Sequence, residues 1–174
     1  SHEHARDIHS GLRFQVDLYA NERAARLLDA RLCPLKGKQP ADVQLLVIRE
    51  SSEGLYVGVG GVFKHGMRDE IAIAEELHTR HGVERLVRHA FERARQLGAR
   101  VTMADKANAV PAHMLWRRVF DEVGREYREV PRQAMYADAL AMELVRRPEQ
   151  FQVIVASNLL GDILADVAAA LAGG

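Results

Sequence analysis

The clearest hydrophobic pattern in the chain lies between residues 83 and 98. Apolar side chains recur there three and four positions apart, and the series is Val83, Leu86, Val87, Ala90, Phe91, Ala94 and Leu97. This spacing places them along one face of an amphipathic helix, and a glycine after such a series is a common place for a helix to stop. The pattern therefore predicts a helix with one buried face that ends at Gly98.

Short apolar runs and further helical patterns alternate along the rest of the chain. Apolar runs predict buried strands over 43–48 and 151–155, a short strand over 101–104, a strand edge over 135–137, and a more exposed strand over 71–77. Helical spacing predicts helices over 115–123, 139–147 and 159–171, the second stopped by Pro148. Strands that alternate with helices are typical of a βαβ architecture. We therefore expect an α/β fold whose ligands bind where strands end and helices begin.

Composition sets the size of the fold and excludes some classes of partner. With 174 residues, 48% of them hydrophobic, the chain can bury one core but is too short to promise two full domains. Lys plus Arg and Asp plus Glu number 24 each, so we expect no nucleic-acid partner and no membrane partner. The single cysteine, Cys33, excludes an internal disulfide and fits a reducing compartment, so a cytoplasmic location is expected.

Three acidic residues occupy positions suited to a metal ion. Asp162 and Asp166 lie four residues apart on the last predicted helix, so both carboxylates project from one face. Mg²⁺ and Mn²⁺ bind such oxygen ligands. From the spacing alone, a solvated acidic helix face is the alternative interpretation. The apolar neighbours on the helix instead favour buried carboxylates, which need a cation or a hydrogen-bonding partner. Asp138 opens the preceding helix, where a simple cap is an equal interpretation. Lys106 follows a strand, and Asn158 is a plausible N-cap of the last helix.

Four motifs in a fixed order match a known family. They are residues 49–56 (RESSEGLY), 106–108 (KAN), 136–145 (YADALAMELV) leading to 151–155 (FQVIV), and the most diagnostic, 158–166 (NLLGDILAD). With these motifs, the chain from about Gly11 to Gly174 resembles the β-decarboxylating 2-hydroxyacid dehydrogenases. This is the family of isopropylmalate, isocitrate, homoisocitrate and tartrate/malate dehydrogenases.

The resemblance implies which residues bind the substrate and a metal ion. It assigns the substrate carboxylates to three arginines, since a guanidinium group can bind a carboxylate through two hydrogen bonds; they are Arg13, Arg23 and Arg49. It assigns Mg²⁺ or Mn²⁺ to Asp138, Asp162 and Asp166. The chain departs from the family pattern at Ala24, where a proline commonly follows the second arginine.

The resemblance also implies the acid and base of the reaction. Lys106 would take the hydroxyl proton during oxidation, and Tyr56 would protonate the carbon after decarboxylation. Asn108 matches a residue near the nicotinamide ring. These roles make the chain part of a metal-dependent NAD(P) oxidoreductase that oxidatively decarboxylates a 2-hydroxy dicarboxylic acid. A non-catalytic dimerisation or regulatory module derived from the family is the alternative.

The fold and the assembly follow from the same resemblance. We expect residues 11–174 to form the second, substrate- and metal-binding domain of an isopropylmalate dehydrogenase-like fold, with helices packed on a mixed sheet. Residues 1–10 are an N-terminal segment of uncertain order. Similar proteins are homodimers in which each active site takes the equivalents of Lys106 and Asp138 from the neighbour. The last two helices are predicted to pair the subunits. The last helix has an apolar face suited to this contact, formed by Leu159, Ile163, Val167 and Leu171. Packing of this face on the chain's own sheet is an equal alternative.

Most of the cofactor-binding domain is not found in the sequence. Gly58, Gly60 and Gly61 form a glycine-rich turn but make no dinucleotide fingerprint, because no helix is predicted to follow them directly. The sequence therefore does not separate NAD from NADP. The 174-residue chain alone is expected to be inactive.

The segment before Arg13 bears on the choice of substrate. An isopropyl group would need an apolar pocket, whereas this segment offers Arg6, His9 and Ser10. We therefore predict that a polar acid of the malate, tartrate, isocitrate or homoisocitrate kind is preferred over isopropylmalate. A surface segment with ordinary polar residues is the alternative interpretation.

Overall fold

The computed structural model describes residues 16–174, which contain seven strands in two sheets. In chain order the strands are β1 (Ala20–Arg26), β2 (Gln44–Glu50), β3 (Gly60–Phe63), β4 (Ile71–Ala74), β5 (Val101–Asp105), β6 (Arg132–Tyr136) and β7 (Val153–Ala156). The larger sheet has the strand order β1-β2-β7-β5-β6, in which only β1 and β2 pair antiparallel. The mixed sheet predicted from the sequence is confirmed.

Helices cover both faces of the larger sheet. The α-helices of the described residues are α1 (Arg80–Leu97), α2 (His113–Gly124), α3 (Ala137–Arg146) and α4 (Asn158–Leu171). Phe91 of α1 and Trp116 of α2 share one apolar cluster with Ile48 of β2. Leu140 of α3 belongs instead to a second cluster with Val47 of the same strand. Because successive strand residues point to opposite faces and both faces are covered, β2 and β7 contain unbroken apolar runs over 45–48 and 153–156.

The first long helix, α1, follows its sequence pattern closely. The hydroxyl of Thr79 accepts the N–H of Gly82 at 2.9 Å and caps the helix start. The buried residues lie on the predicted face; they are Gly82, Val83, Leu86, Val87, Ala90, Phe91 and Ala94. Gly98 ends the helix with φ of 60°, a left-handed conformation that suits glycine. The predicted helix is confirmed, with an earlier start at Arg80.

Strands β3 and β4 form a hairpin with exposed apolar side chains. They pair antiparallel in a two-stranded sheet of their own. Phe63, Ile71 and Ile73 expose 55%, 47% and 46% of their surface. A side chain at Gly60 would place Cβ only 2.1 Å from the carbonyl oxygen of Ile73, so glycine is required for this pairing. The exposed strand predicted over 71–77 is present in a shorter form, and its partner strand was not predicted.

Two further features of the fold differ from the sequence predictions. The edge strand β1 is absent from them because only Ala25 of its seven residues is buried, so no apolar run marks it. The prediction that Asn158 caps the last helix is wrong. Ser157 is the N-cap residue, with extended backbone, and Asn158 lies in the first turn of α4. The Asn158 side chain is used elsewhere in the site.

Several predictions fall on residues 1–15, outside the described part of the chain. They concern Arg13 as a substrate ligand, the segment 1–10, and the contribution of Arg6, His9 and Ser10 to substrate choice. Within residues 16–174, no helix has the length and apolar character needed to cross a membrane.

Candidate active site

The predicted site residues within residues 16–174 lie near the carboxyl ends of the parallel strands of the larger sheet. The parallel strands β2, β5, β6 and β7 end there, at Glu50, Asp105, Tyr136 and Ala156. Helices α3 and α4 begin directly after β6 and β7. Side chains from the strand ends and from the first turns of these helices therefore meet in the region where α/β folds bind ligands.

The turn after β2 is held by a buried carboxylate. Glu50 is 1% exposed, and its Oε1 accepts the N–H and the hydroxyl of Ser52 at 2.9 and 2.6 Å. Its Oε2 accepts the N–H of Glu53 at 2.6 Å. These bonds satisfy a carboxylate that would be costly to bury alone. They also fix the turn that leads from Arg49 to Tyr56.

Arg49 is the buried centre of the first group of site residues. Its side chain is 4% exposed, and one terminal nitrogen forms an ion pair with Oδ1 of Asp162. Its Nε donates to Oδ1 of Asn158 at 2.9 Å, while Nδ2 of Asn158 donates to the carbonyl of Glu53 at 2.8 Å. A Cβ at Gly161 would lie 2.8 Å from Cβ of Arg49, so this glycine lets α4 approach β2.

Arg23 and Asp166 extend this group towards solvent. Arg23 on β1 places its terminal nitrogens 3.7 Å from Oδ1 of Asp162 and 3.6 Å from Oδ1 of Asp166. One guanidinium group reaches both carboxylates, in agreement with the prediction that they project from one helix face. The ring centroid of Tyr56 lies 5.6 Å from the guanidinium carbon of Arg49. We name Arg23, Arg49, Tyr56, Asp162 and Asp166 the arginine cluster.

A second group surrounds Lys106 at the end of β5. Nζ of Lys106 lies 2.7 Å from Oδ1 of Asp138 in the first turn of α3. The hydrogen bond from Lys106 is the main reason why the pKa of Asp138 is lowered. The ring centroid of Tyr136 lies 5.8 Å from Nζ of Lys106 and 4.7 Å from the guanidinium carbon of Arg117. We name Lys106, Asp138, Tyr136 and Arg117 the lysine cluster.

Asp105 anchors the lysine cluster from inside the fold. It is 1% exposed, and its carboxylate accepts from Nε of Arg117 at 2.7 Å and from the N–H of Ala107 at 2.8 Å. Asn108, predicted to lie near the nicotinamide, is exposed in the turn that follows Lys106. The buried aspartate thus fixes the start of the turn that carries both predicted residues.

The three predicted metal ligands are divided between the two clusters. Asp162 and Asp166 share Arg23, whereas Asp138 pairs with Lys106. Among residues 16–174, the one group that brings three carboxylate, imidazole or thiol ligand atoms within 4.8 Å of one another is Glu76, His78 and His113. The oxygen donors suit Mg²⁺ or Mn²⁺ in kind. Each cluster of a single chain supplies only part of the predicted set.

Sequence reasoning missed Glu76, His78 and His113. The first two lie after β4, and His113 opens α2, so no short motif joins them. Only the fold brings the two segments together. A separate cavity of about 340 Å³ lies at the opposite end of β2, beside Gln44, Leu46 and Leu97, and no predicted site residue from the described range 16–174 lines it.

Sequence comparison finds similar proteins within one described family. A family model described as isocitrate/isopropylmalate dehydrogenase matches residues 2–174. The 3-isopropylmalate dehydrogenase of Thermobifida fusca is 44% identical over 165 residues, which are 94% of this chain and 47% of that protein. The 3-isopropylmalate dehydrogenase of Bifidobacterium longum is 41% identical over 164 residues, with the same shares of each chain. The chain thus spans about half the length of these curated relatives.

Solved structures share the fold. The crystal structure of isocitrate dehydrogenase from Methylococcus capsulatus matches with a TM-score of 0.86 and 35% identity, over 97% of this chain and 49% of that one. The TT0538 protein from Thermus thermophilus matches with a TM-score of 0.85 and 35% identity, over 95% of this chain and 32% of that one.

Proposed function

The chain belongs to the isocitrate/isopropylmalate dehydrogenase family, and we propose that it supplies the substrate-binding, metal-binding and proton-transfer residues of an NAD(P)-dependent oxidoreductase. The proposed reaction is the oxidative decarboxylation of a 2-hydroxy dicarboxylic acid. The observation that carries the proposal is the position of the arginine and lysine clusters at one edge of the sheet. Together they contain a carboxylate-binding group, metal ligands of the right type, an acid and a base.

We propose that Arg23 and Arg49 bind the substrate carboxylates. Arg49 is held by Asn158 and Asp162, so its guanidinium orientation is fixed before a ligand arrives. Arg23 is 41% exposed and lies on the solvent side of the same group. A fixed, buried arginine beside a more exposed one suits an anion with two carboxylates, because each guanidinium group can bind a carboxylate and the buried one fixes the orientation of the anion. Arg13 is the third proposed ligand.

Asp138, Asp162 and Asp166 are the proposed ligands of Mg²⁺ or Mn²⁺. When bound, a divalent ion polarises substrate oxygens and stabilises negative charge that develops on them. The carboxylates of Asp162 and Asp166 already face two guanidinium groups. A further dication beside these arginines is favourable only when substrate carboxylates join it, so we expect weak metal binding without substrate.

Lys106 and Tyr56 are the proposed base and acid. Lys106 can take the hydroxyl proton only as a neutral amine, so its ion pair with Asp138 has to open before it acts. Tyr56 is 46% exposed, which leaves its ring open to a ligand on the side of the arginine cluster. The two groups lie in different clusters. We therefore propose that each active site combines the arginine cluster of one chain with the lysine cluster of a second copy.

A mixed-dimer experiment tests the shared site. Lys106→Met and Asp162→Asn variants of the protein in its full natural length are refolded separately and then together. If sites are shared, a mixed dimer contains one site with both residues intact, and random mixing restores roughly a quarter of the wild-type activity from two inactive variants. No recovery, with mixed dimers verified by mass spectrometry, would show that each site is built from one chain.

Calorimetry tests the metal assignment separately. Mn²⁺ is titrated into the protein with and without malate, using wild type, Asp162→Asn and the control Asp121→Asn, which alters an exposed carboxylate on α2. We expect uptake that depends on the acid in wild type and control and is lost in Asp162→Asn. Identical heats for all three proteins would contradict the assignment.

The homodimer is proposed to form through α3 and α4. These helices expose Met142, Val145 and Ile163, each by about half. Leu171, predicted to belong to the same face, is buried in the chain's own core, so part of the predicted face serves internal packing. Light scattering after size exclusion should give a dimer for wild type and for the control Leu28→Asp, and a monomer for Ile163→Asp. A wild-type monomer at tens of micromolar would contradict the pairing.

A comparison of substrates tests which 2-hydroxy acid the protein prefers. The prediction from Arg6, His9 and Ser10 favours a polar acid, whereas the relatives are named for isopropylmalate. Comparing kcat/KM for isopropylmalate, malate, tartrate, isocitrate and homoisocitrate, with NAD and with NADP, decides both the acid and the nicotinamide. A clear preference for isopropylmalate would overturn the polar-acid prediction and leave the reaction class intact. The cytoplasmic location stays a prediction.

A further inference from the structure

The turn that carries Lys106 rests on a buried group of three side chains, Glu76, His78 and His113, which we name the imidazole cluster. His78 and His113 expose only 1% and 3% of their side chains, and Glu76 exposes 21%. Glu76 lies between β4 and α1, and His113 is the first residue of α2. The cluster contains no predicted site residue, but it contacts the backbone of one.

The contacts of His113 define a single arrangement of its protons. The backbone N–H of Lys106 donates to Nδ1 of His113 at 2.8 Å. A neutral imidazole has one N–H, so an accepting Nδ1 leaves the proton on Nε2. Nε2 lies 3.2 Å from Oε1 of Glu76, a carboxylate oxygen that can accept this proton. Both contacts therefore require the same tautomer.

We infer that His113 positions Lys106 for proton transfer and that Glu76 holds His113 in the tautomer that this requires; the inference rests on the proposed role of Lys106. The next N–H along the chain, that of Ala107, is bound by the carboxylate of Asp105 at 2.8 Å. The carbonyl of Lys106 accepts the N–H of Val110 at 2.8 Å. The peptide groups on both sides of Lys106 are thus fixed. The direction in which its side chain leaves the turn depends on them.

The same contacts argue against a metal ion in the imidazole cluster. A histidine that binds a metal through one nitrogen normally donates the N–H of the other to a carboxylate or carbonyl oxygen. In His113 the other nitrogen faces an N–H donor instead. Metal binding through Nε2 would put a proton on Nδ1, directly against the N–H of Lys106. The cluster fits a hydrogen-bonded support and does not fit a cation site.

The segment that carries Glu76 also contacts the turn after β2. The carbonyl of Leu77 accepts the N–H of Gly54 at 2.8 Å. The carbonyl of Glu53, one residue earlier, accepts from Asn158, which holds Arg49. These hydrogen bonds therefore connect the segment that carries Glu76 with the residues that hold Arg49 in the arginine cluster.

The test compares three substitutions in the protein in its full natural length. His113→Leu removes the acceptor for the Lys106 N–H, His113→Asn retains a side-chain oxygen that can accept it, and His81→Leu is a control on the exposed side of α1. We expect His113→Leu to lower kcat by about tenfold or more with little change in KM, since a small displacement of a reacting group slows the chemical step. His113→Asn should recover part of the loss, and His81→Leu should match wild type.

A second measurement does not depend on activity. Nitrogen-15 NMR of the wild-type ring should show His113 protonated on Nε2, and the Lys106 amide should exchange faster in His113→Leu than in His81→Leu. A ring protonated on Nδ1, binding of Co²⁺ with a ligand-field spectrum that His78→Ala removes, or an unchanged kcat in His113→Leu would each overturn the inference. If wild type oxidises no 2-hydroxy acid, the proposed function fails, and the NMR measurements still decide whether His113 supports the Lys106 turn.

Discussion

The arginine and lysine clusters lie at the same end of the parallel strands, but only the arginine cluster contains a buried side chain, that of Arg49. The side chains of Arg49 and Asp162 are 4% and 34% exposed, and α4 packs closely against the arginine at Gly161. The side chains of Lys106 and Asp138 are 30% and 68% exposed. The arginine cluster is centred on the buried Arg49. The lysine cluster is supported by the buried Asp105, but Lys106 and Asp138 themselves are partly exposed.

This difference separates two tasks that one site has to perform. An anion-binding group gains from a fixed orientation, because the entropy of ordering it is not lost when the ligand binds. A base that must exchange partners gains from an exposed ion pair that opens easily, since water and salt weaken such pairs. The comparison therefore predicts that substitution of the buried Arg49 lowers stability as well as activity, whereas substitutions in the lysine cluster lower activity with little change in stability.

Lys106→Met should produce the largest effect, on catalysis. Removing the proposed base should lower kcat of the natural-length protein by about 100-fold or more, while the urea midpoint changes little because the lost ion pair is exposed. Lys36→Met, at an exposed position away from both clusters, is the control. A variant that keeps half of the wild-type kcat would remove Lys106 from the proposed mechanism.

Arg49→Met should produce the next largest effect, on stability. The substitution removes hydrogen bonds to Asn158 and Asp162 at a buried position, and we expect the free energy of unfolding to fall by about 2–3 kcal/mol. The matched control is Arg23→Met, which removes more distant and more exposed contacts to the same carboxylates and should cost less than about 1 kcal/mol. Urea denaturation measures both. Equal losses would show that burial does not distinguish the two arginines.

The elements of the fold were predictable where the sequence carries a strong apolar pattern. Helix α1 has a period because one face is buried, and strand β2 has an unbroken apolar run because both of its faces are buried. Strand β1 escaped prediction because it lies at the sheet edge and buries a single side chain. Asn158 was misassigned by one position because its side chain serves Arg49 and Glu53, two distant partners that local capping rules cannot anticipate.

The sequence named the residues of the candidate site but could not give their geometry. Motif spacing identified Asp162 and Asp166, which α4 places towards one guanidinium group. It could not show that Asp138 lies apart from them beside Lys106, since that depends on strand order. His113 carries no motif signal because its partners, Glu76 and the Lys106 N–H, come from separate segments.

The imidazole cluster should make the stability of the protein depend on pH. Burial lowers the pKa of His78 from 6.5, and this outweighs the opposite effect of the Glu76 carboxylate. His78 therefore binds a proton more readily in the unfolded chain than in the folded protein. The free energy of unfolding should fall as the pH decreases below about 6.5. Urea unfolding between about pH 7 and pH 5 should show a shallower loss for His78→Gln than for wild type and the control His81→Gln. Parallel curves for all three proteins would contradict this role of His78.

The smallest effect concerns the ion pair of the lysine cluster itself. The hydrogen bond from Lys106 is the largest cause of the lowered pKa of Asp138, so Lys106→Met should raise that pKa towards its ordinary value of 3.8. Because the folded pKa is the lower one, the pair stabilises the fold above about pH 4, and this contribution is lost as the pH falls further. Carbon-13 NMR of the Asp138 carboxyl measures the change, and the Asp162 carboxyl signal should stay the same as an internal control. An unchanged titration of Asp138 would mean that Lys106 and Asp138 do not pair in solution, and the lysine cluster would then be even more open than its exposure indicates.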